Sequence, residues 1–396
     1  MLRALCIGVF VFLTTVNVSQ TFSFDSIFAL KPILKSVSEN SGKHRLQIIY
    51  TQINRDSNGK PSFKTYSYHA SPSNYFYCAS LVKLPCSILA LEKLKEIAVD
   101  KESIMFTDSV NSCQKSVKHD TSNFNGFPSI ANYIRRMFLV SDNFAYGRVY
   151  EFLGVDYIHQ RLAQLGFPDV RIINRFDGNC KGTEHLLTNP VGFYDSNMKL
   201  LYRQNQQQSA SNYKHPLGSV KVGKAYINAN NKKALEPKDF TNMNYMSLQD
   251  VHAMMFRLIF PEQLPSNERY NLTKENRLFL INYLTLLPRE SEFPRYNSKE
   301  YYDSYKKYFI YGDSKKTISN NDLKIINIVG QSYGFMSDCA YIYNEKDKVE
   351  FMLSAVIYAN ADEILNDGKY EYNSIALPFL AELGRQIYHY ELKRNK

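Results

Sequence analysis

Strand patterns lie near both ends of this chain, and helical patterns lie between them. The sequence predicts strands over residues 45–54, 62–69, 323–329, 338–344 and 349–359. The first two surround a turn at residues 56–59, and a turn at residues 345–347 separates the last two. Pairing of the two ends would give an α+β fold. Its antiparallel sheet is built from both chain ends and flanked by helices, with a helical part inserted in the middle.

Helical periodicity accounts for most of the remaining chain. It predicts helices over residues 25–39, 81–98, 128–166, 248–260, 274–287 and 375–392. Residues 204–242 are polar and poor in periodicity, so a loop or insertion is expected there. We interpret the chain as a signal peptide (1–23), an N-terminal α/β piece (24–79), a helical part (80–304) and a C-terminal α/β piece (305–396).

Composition narrows the class of protein without naming a function. The chain is 44% hydrophobic with 17 Gly and 14 Pro, which favours a globular protein over a disordered or fibrous one. Its net charge of +10 comes from scattered basic residues, so no nucleic-acid partner is expected. A small-molecule or peptide substrate fits better, because a cleft would form where the sheet and the helical part meet.

The first residues predict export. Met1-Leu2-Arg3 precedes an apolar run over residues 4–16, followed by small and polar residues up to Ser23, as in a secretory signal. No later stretch is long and apolar enough to predict a membrane span. A secreted or periplasmic protein is expected.

The cysteines and histidines predict no metal site. Five cysteines follow the leader without any C-x-x-C pair, and no H-E-x-x-H occurs among the eight histidines. No metal or other cofactor is therefore expected. Up to two disulfides are possible, and their pairing stays open, as does the alternative that the cysteines are buried thiols.

A Ser-x-x-Lys motif occurs six times, and the copy at Ser80-Leu81-Val82-Lys83 is distinctive because it begins a strong amphipathic helix. Spacing of i, i+3 places the Lys83 amine on the same helix face as the Ser80 hydroxyl. An amine so placed can take the hydroxyl proton and make Ser80 a nucleophile. The alternative is that Ser80 caps the helix and Lys83 is a solvated charge. The other five copies are expected on the solvated surface, at Ser57, Ser112, Ser196, Ser211 and Ser304.

A second motif, Ser141-Asp142-Asn143, occurs once and follows a predicted helix. With the first motif it resembles the class A beta-lactamase family, within the serine beta-lactamases and penicillin-binding proteins, whose signature is S-x-x-K, S-D-N and K-T-G. The resemblance implies a secreted serine hydrolase with Ser80 as the acylated nucleophile and Lys83 as its proton acceptor, directly or through water. It further implies that Ser141 relays a proton to the leaving nitrogen and that Asn143 holds Lys83 and the substrate amide.

The third motif is degenerate. Where K-T-G is expected, the chain has Ile328-Val329-Gly330, so only the glycine is kept. Ile328 then replaces the lysine that the family uses for the substrate carboxylate. Gly330 and Gln331 remain candidates for substrate binding, because the backbone N–H of Gln331 could form an oxyanion hole with that of Ser80.

The deacylating carboxylate also departs from the family. The expected Arg-x-Glu is matched best by Arg175-Phe176-Asp177, whose acid is one methylene shorter. The resemblance makes Asp177 the candidate base that activates water. The alternative is a loop salt bridge between Arg175 and Asp177.

A rival nucleophile is Ser332, because residues 330–334 spell the G-x-S-x-G of the α/β hydrolases. That motif requires a following helix, whereas strands are predicted here. Two function classes remain. One is a hydrolase of a beta-lactam or related amide, and the other is a relative that binds or is slowly acylated by a cell-wall peptide or other ligand without efficient turnover.

Overall fold

The fold is described from a computed structural model, covering residues 22–110, 113–176 and 179–394. Most of the expected leader lies outside these residues, so the signal peptide stays a prediction. The helices are α1 (Phe24–Phe28), α2 (Pro32–Glu39), α3 (Lys83–Glu96), α4 (Ile130–Val140), α5 (Asn143–Leu153), α6 (Val155–Gln164), α7 (Leu248–Ile259), α8 (Lys274–Thr285) and α9 (Leu377–Lys393). The strands are β1 (Gln47–Arg55), β2 (Pro61–Tyr68), β3 (Ile104–Thr107), β4 (Val191–Tyr194), β5 (Leu200–Gln204), β6 (Lys221–Val222), β7 (Ala225–Ile227), β8 (Lys233–Ala234), β9 (Lys238–Asp239), β10 (Leu323–Ser332), β11 (Phe335–Asn344), β12 (Val349–Tyr358) and β13 (Ile364–Leu365).

Both chain ends form one antiparallel sheet, as the sequence predicts. Its strand order is β10-β11-β12-β1-β2, so the N-terminal hairpin joins the C-terminal meander along β1 and β12. Tyr50 of β1 lies opposite Leu353 on one neighbour and Tyr66 on the other. The fold is therefore α+β with a sheet made from both termini.

Two apolar cores cover the two faces of this sheet. One contains residues of α1, α2 and α9, and the other contains residues of α3 to α8. Helix α3 lies deep in the second core, since every residue from Lys83 to Leu94 is buried. A helix buried on all sides is fixed in position by its neighbours. Helix α3 therefore holds Lys83, at its first position, in a defined place.

The inserted part contains β-structure that the sequence analysis missed. Strands β3, β4 and β5 form a separate antiparallel sheet, and residues 204–242, expected to be a loop, include the short strands β6 to β9. These strands are two to five residues long. Alternation over so few residues gives no period to detect.

One of the five dismissed Ser-x-x-Lys copies is not on the surface. Ser304 and Lys307 are both buried, whereas Ser57, Ser196 and Ser211 are exposed as expected; Ser112 lies outside the described residues. Ser304 Oγ donates to the carbonyl of Ser314. Lys307 Nζ donates to two backbone carbonyl oxygens and to the side chain of Asn327. The pair is structural because these bonds satisfy its polar atoms in the interior.

A disulfide joins Cys113 to Cys180, with Cα atoms 5.1 Å apart and a sequence separation of 67. Among the described cysteines, Cys78, Cys86 and Cys339 are buried thiols. One disulfide and three buried thiols thus resolve the alternatives that the sequence left open for these residues.

Removal of this disulfide should destabilise the protein. Replacement of both Cys113 and Cys180 by serine is expected to lower the free energy of unfolding by about 3–4 kcal/mol, because the open loop regains entropy in the unfolded chain. Urea unfolding would measure this. A reductant should lower the midpoint of the wild type to that of the variant and leave the variant unchanged; equal midpoints without reductant would contradict the prediction.

Two kinds of feature are absent from residues 22–110, 113–176 and 179–394. No helix there is long and apolar enough to cross a bilayer. No group of three or more His, Cys, Asp or Glu side chains is placed to hold a metal ion.

Candidate active site

Ser80 lies in a tight turn that leads into α3. Residues Ala79–Val82 form a 3₁₀ turn, and the α-helix proper begins at Lys83. Ser80 therefore does not cap the helix, and the expectation that it opens an α-helix is wrong. Ala79 has a φ of 45°, a left-handed conformation that is costly for a residue with a Cβ. This backbone presents the Ser80 hydroxyl to a cavity.

Lys83 is fully buried, so it is not the solvated charge of the alternative interpretation. Its Nζ lies 3.0 Å from Ser80 Oγ and 2.9 Å from Ser141 Oγ. It also lies 2.5 Å from the Ser141 carbonyl oxygen and 2.7 Å from Asn143 Oδ1. The structure thus brings together the four residues of the two predicted motifs.

Helix ends place the second motif. Ser141 ends α4 in the left-handed conformation, with a φ of 61°. Asp142 caps α5 by accepting a hydrogen bond of 3.0 Å from the Ala145 N–H, and it forms a 2.7 Å ion pair with Arg136. Because Asp142 is held on both sides, the side chains of Ser141 and Asn143 are directed together towards Lys83.

The two hydroxyls and the amine form a closed triangle. Ser141 Oγ donates to Ser80 Oγ at 2.7 Å, and Lys83 Nζ contacts both oxygens. Burial lowers the pKa of Lys83 well below its usual range, and the positive charge of Lys306 lowers it further, although Asp142 opposes this. A neutral amine has a free lone pair, so Lys83 can accept the Ser80 proton.

Acylation should therefore not require alkaline pH. Since the neutral form of Lys83 is the base, the rate falls only as the pH drops through its lowered pKa. We expect the acylation rate to change less than about twofold between about pH 8 and about pH 10, whereas an unperturbed lysine would give a rise up to its pKa near 10.4. Stopped-flow acylation across this range is the measurement; a steep rise would contradict a neutral Lys83.

The remaining predicted residues lie on β10. Gly330 lies opposite Ser337 of β11, and a Cβ added to it would meet the Cys78 carbonyl oxygen at 2.7 Å. Only glycine permits this approach of the strand to the turn that carries the nucleophile. Ile328, two residues earlier, is buried in the core. No side-chain amine is therefore supplied at the position where the family has lysine.

Replacement of Gly330 should disturb the nucleophile. Gly330→Ala is expected to lower the free energy of unfolding by about 1–3 kcal/mol, because the added methyl group overlaps backbone. Displacement of the Cys78–Ser80 turn should also slow acylation at least about tenfold. Thermal melts and acylation rates would measure both effects. Gly42→Ala is the matched control, since a Cβ there meets nothing within 4 Å; equal behaviour of the two variants would contradict the prediction.

Two lobes of one cleft meet at Ser80, Asn143 and Gln331. The first lobe, of about 360 Å³, extends along Tyr77, Phe176, His185 and Tyr333. The second lobe, of about 430 Å³, extends along Tyr302, Tyr305, Lys306, Tyr308 and Tyr372. Gln331 is exposed in the cleft, and its Oε1 accepts a 3.2 Å hydrogen bond from Tyr308. The cleft is large enough for a small amide with side groups.

The candidate deacylation base, Asp177, lies outside the described residues. Its neighbour Arg175 is fully buried and forms a 2.6 Å ion pair with Glu151. Asn189 Nδ2 donates to the same carboxylate at 2.9 Å. The side chain of Arg175 thus has a structural partner in Glu151, which the sequence analysis did not foresee.

Ser332 does not lie in the strand-to-helix elbow of an α/β hydrolase. It ends β10 and pairs with Phe335 across a hairpin whose two central residues, Tyr333 and Gly334, have φ values of 53° and 82°. Two residues with positive φ form the tight turn that suits a twisted hairpin. Strand β11 follows directly, so this rival motif lacks the required context.

These motifs and their geometry agree with a comparison against known families. The model of the beta-lactamase enzyme family matches residues 29–390. The chain belongs to the beta-lactamase enzyme family. A search of curated proteins found no match.

Solved structures similar to this chain include PBP-A and a beta-lactamase. PBP-A is 11% identical with a TM-score of 0.50, covering 91% of this chain and 96% of its own. A PBP-A variant, solved as an acyl-enzyme complex with penicillin G, is 12% identical with a TM-score of 0.50 and covers 92% and 96%. A beta-lactamase from Xanthomonas campestris pv. campestris is 11% identical, covering 92% and 96%, with a TM-score of 0.49. At identities this low, the two PBP-A structures show a shared fold.

Sequence analysis missed Lys306, which lines the second lobe of this beta-lactamase-family cleft and is 7% exposed. It belongs to a short 3₁₀ turn, Asp303–Lys306, and lies 22 residues before Ile328 in sequence. No motif marks it, because its place depends on how the turn packs against the sheet.

Proposed function

We propose that this protein is a secreted serine hydrolase that opens a beta-lactam or a related amide by acyl transfer through Ser80. The contact of a buried Lys83 with both Ser80 and Ser141 carries the proposal. A protein that only binds its ligand has no need for a nucleophile paired with a desolvated amine. The family match and the acyl-enzyme known for the PBP-A variant support the same chemistry.

In the proposed acylation step, one proton moves from Ser80 to the substrate nitrogen. Ser80 Oγ attacks the carbonyl carbon while its proton passes to the lone pair of Lys83. The proton then moves through Ser141 Oγ to the substrate nitrogen, and the C–N bond breaks to leave an ester on Ser80. The 2.7 and 2.9 Å contacts of Ser141 Oγ are short enough for such a relay. Backbone N–H groups of Ser80 and Gln331 are the proposed donors to the oxyanion.

A second candidate function is a slow covalent trap. The described residues that line the two lobes carry no carboxylate. Water that attacks the ester needs a base, and the proposed base, Asp177, is shorter than the glutamate of the family. Weak activation of water would let the acyl-enzyme accumulate, as in a penicillin-binding protein.

Two measurements on one sample distinguish the hydrolase from the covalent trap. Purified protein is incubated with a panel of penicillins and cephalosporins, and drug absorbance and intact protein mass are followed together. Drug loss over many turnovers supports a hydrolase, and a stoichiometric adduct with little drug loss supports the trap. Absence of both would overturn acyl transfer on beta-lactams and direct the search to peptide amides and esters.

Export is part of the proposal. The leader pattern in residues 1–23 and the Cys113–Cys180 disulfide both favour an oxidising compartment. Expression of the full chain followed by N-terminal sequencing of the exported protein would test it. A mature N-terminus near residue 23 is expected, and an uncleaved cytosolic product would contradict export.

A further inference from the structure

We propose that Lys306 forms an anion subsite in the second lobe of the cleft, where its amine binds the carboxylate of the substrate. This inference rests on the proposed function, since it names the class of substrate: amides that carry a carboxylate beside the scissile bond. It assigns the missing lysine of the third motif to a different element of the chain, the turn before β10 instead of β10 itself.

A buried network holds the backbone of this segment against the sheet. Asn327 of β10 donates to the Lys306 carbonyl oxygen at 2.6 Å and to Asp338 of β11 at 2.9 Å. The same carboxylate accepts hydrogen bonds of 3.2 and 3.1 Å from the N–H groups of Tyr308 and Phe309. Buried polar groups bonded in this way fix a segment rigidly, so the Lys306 side chain starts from a defined position beside the cleft.

Lys306 differs from its neighbour Lys307. Lys307 Nζ donates to two carbonyl oxygens, of Leu284 and Ile325, and to Asn327 Oδ1, each within 2.8 Å. Within the described residues, Lys306 Nζ has no hydrogen-bond or ion-pair partner, although the residue is only 7% exposed. A buried amine that lacks a partner and faces a cavity is a site for an anion.

Other cations are engaged elsewhere. Arg175 pairs with Glu151, and Arg385 pairs with Asp313 and Glu382. Lys306 is the one basic residue among the described residues that line the second lobe. Phenol groups of the same lobe, such as those of Tyr302, Tyr305 and Tyr372, can donate further hydrogen bonds to a bound carboxylate.

An anion in this lobe would also adjust the proton relay. The pKa of Lys306 is lowered to about 7, chiefly by burial; the charge of Asp338 acts to raise it, and the charge of Lys307 acts to lower it. A carboxylate beside the amine favours its charged form, which in turn keeps Lys83 neutral. Substrate binding and activation of Ser80 would thus be coupled through two lysines.

The first experiment compares penicillin G with its methyl ester, which lacks the anionic charge. Acylation rates are measured for the wild type, Lys306→Met, Lys306→Arg and the exposed control Lys316→Met. The wild type and the control are expected to prefer the carboxylate by about 10- to 100-fold, the range for a charge-assisted hydrogen bond. Lys306→Met should lose this preference, and Lys306→Arg should restore part of it.

Two results would overturn the subsite while leaving acyl transfer intact. The wild type could acylate both compounds equally, or Lys306→Met could keep the wild-type preference. Either result would show that no charge at Lys306 contributes to recognition.

A second arm decides the case in which no beta-lactam acylates the wild type. Sulfate is titrated into Ser80→Ala protein with and without Lys306→Met, and thermal midpoints are compared with chloride at equal ionic strength. Saturable stabilisation by sulfate that Lys306→Met abolishes and Lys316→Met retains supports the anion subsite, even though the proposed beta-lactam chemistry has failed. Equal stabilisation of all variants, or none, overturns it.

Discussion

Ser80→Ala is expected to form no covalent adduct with any beta-lactam that acylates the wild type. The variant removes the oxygen that forms the ester, so its acylation rate should fall below detection. Its fold should persist, because among the described residues the lost hydroxyl hydrogen-bonds only Lys83 and Ser141. The loss of stability should not exceed about 3 kcal/mol. Intact-mass spectrometry and a thermal melt on the same sample measure both.

Ser332→Ala is the matched control for this change. Ser332 lines the same cleft but lies in the β10–β11 hairpin, outside the contacts of Lys83. The Ser332→Ala variant should form the acyl-enzyme at the wild-type rate. Loss of the adduct in Ser332→Ala, with an adduct retained in Ser80→Ala, would show that Ser332 is the nucleophile and would contradict the assignment of Ser80.

Lys83→Met is expected to slow acylation by about 10²- to 10⁴-fold, the range for loss of a positioned general base. Methionine fills much of the same buried volume but cannot accept the Ser80 proton. Asn143 Oδ1 and the Ser141 carbonyl oxygen also lose their donor, so some stability should be lost. Stopped-flow acylation and urea unfolding separate the two effects.

Lys93→Met on the same helix tests whether a buried lysine matters for stability alone. Lys93 is 7% exposed, and its Nζ donates to the carbonyl oxygens of Phe152 and Leu153, away from Ser80. This variant should lose stability yet acylate at the wild-type rate. Equal slowing in both variants would mean that Lys83 acts only by supporting the fold.

The long strands and helices of the fold were predictable because each is long enough to show a clear pattern of apolar residues. Strands β10, β11 and β12 are ten residues each and mostly buried, so their apolar runs and intervening turns are clear in the sequence. The expected helix over residues 25–39 is instead two helices, because Pro32 starts a new helix at its first position. Strands β3 to β5 were missed since their pairing, rather than their own pattern, defines them.

The sequence predicts the part of the site whose residues are close together in sequence. The i, i+3 spacing of Ser80 and Lys83 puts amine and hydroxyl together in any helical turn. The approach of Ser141 and Asn143 to Lys83 followed from the family resemblance, not from spacing alone. Lys306 could not be predicted, because its position depends on Asn327 and Asp338 bonding a segment that precedes them in sequence.

The most direct test of the central claim is to locate the acyl group on the chain. Protein incubated with a beta-lactam is quenched, digested and analysed by tandem mass spectrometry for the residue that carries the added mass. Acyl transfer through Ser80 predicts that this mass lies on Ser80 alone. An adduct on Ser141, Ser332 or Lys306, with Ser80 unmodified, would contradict it.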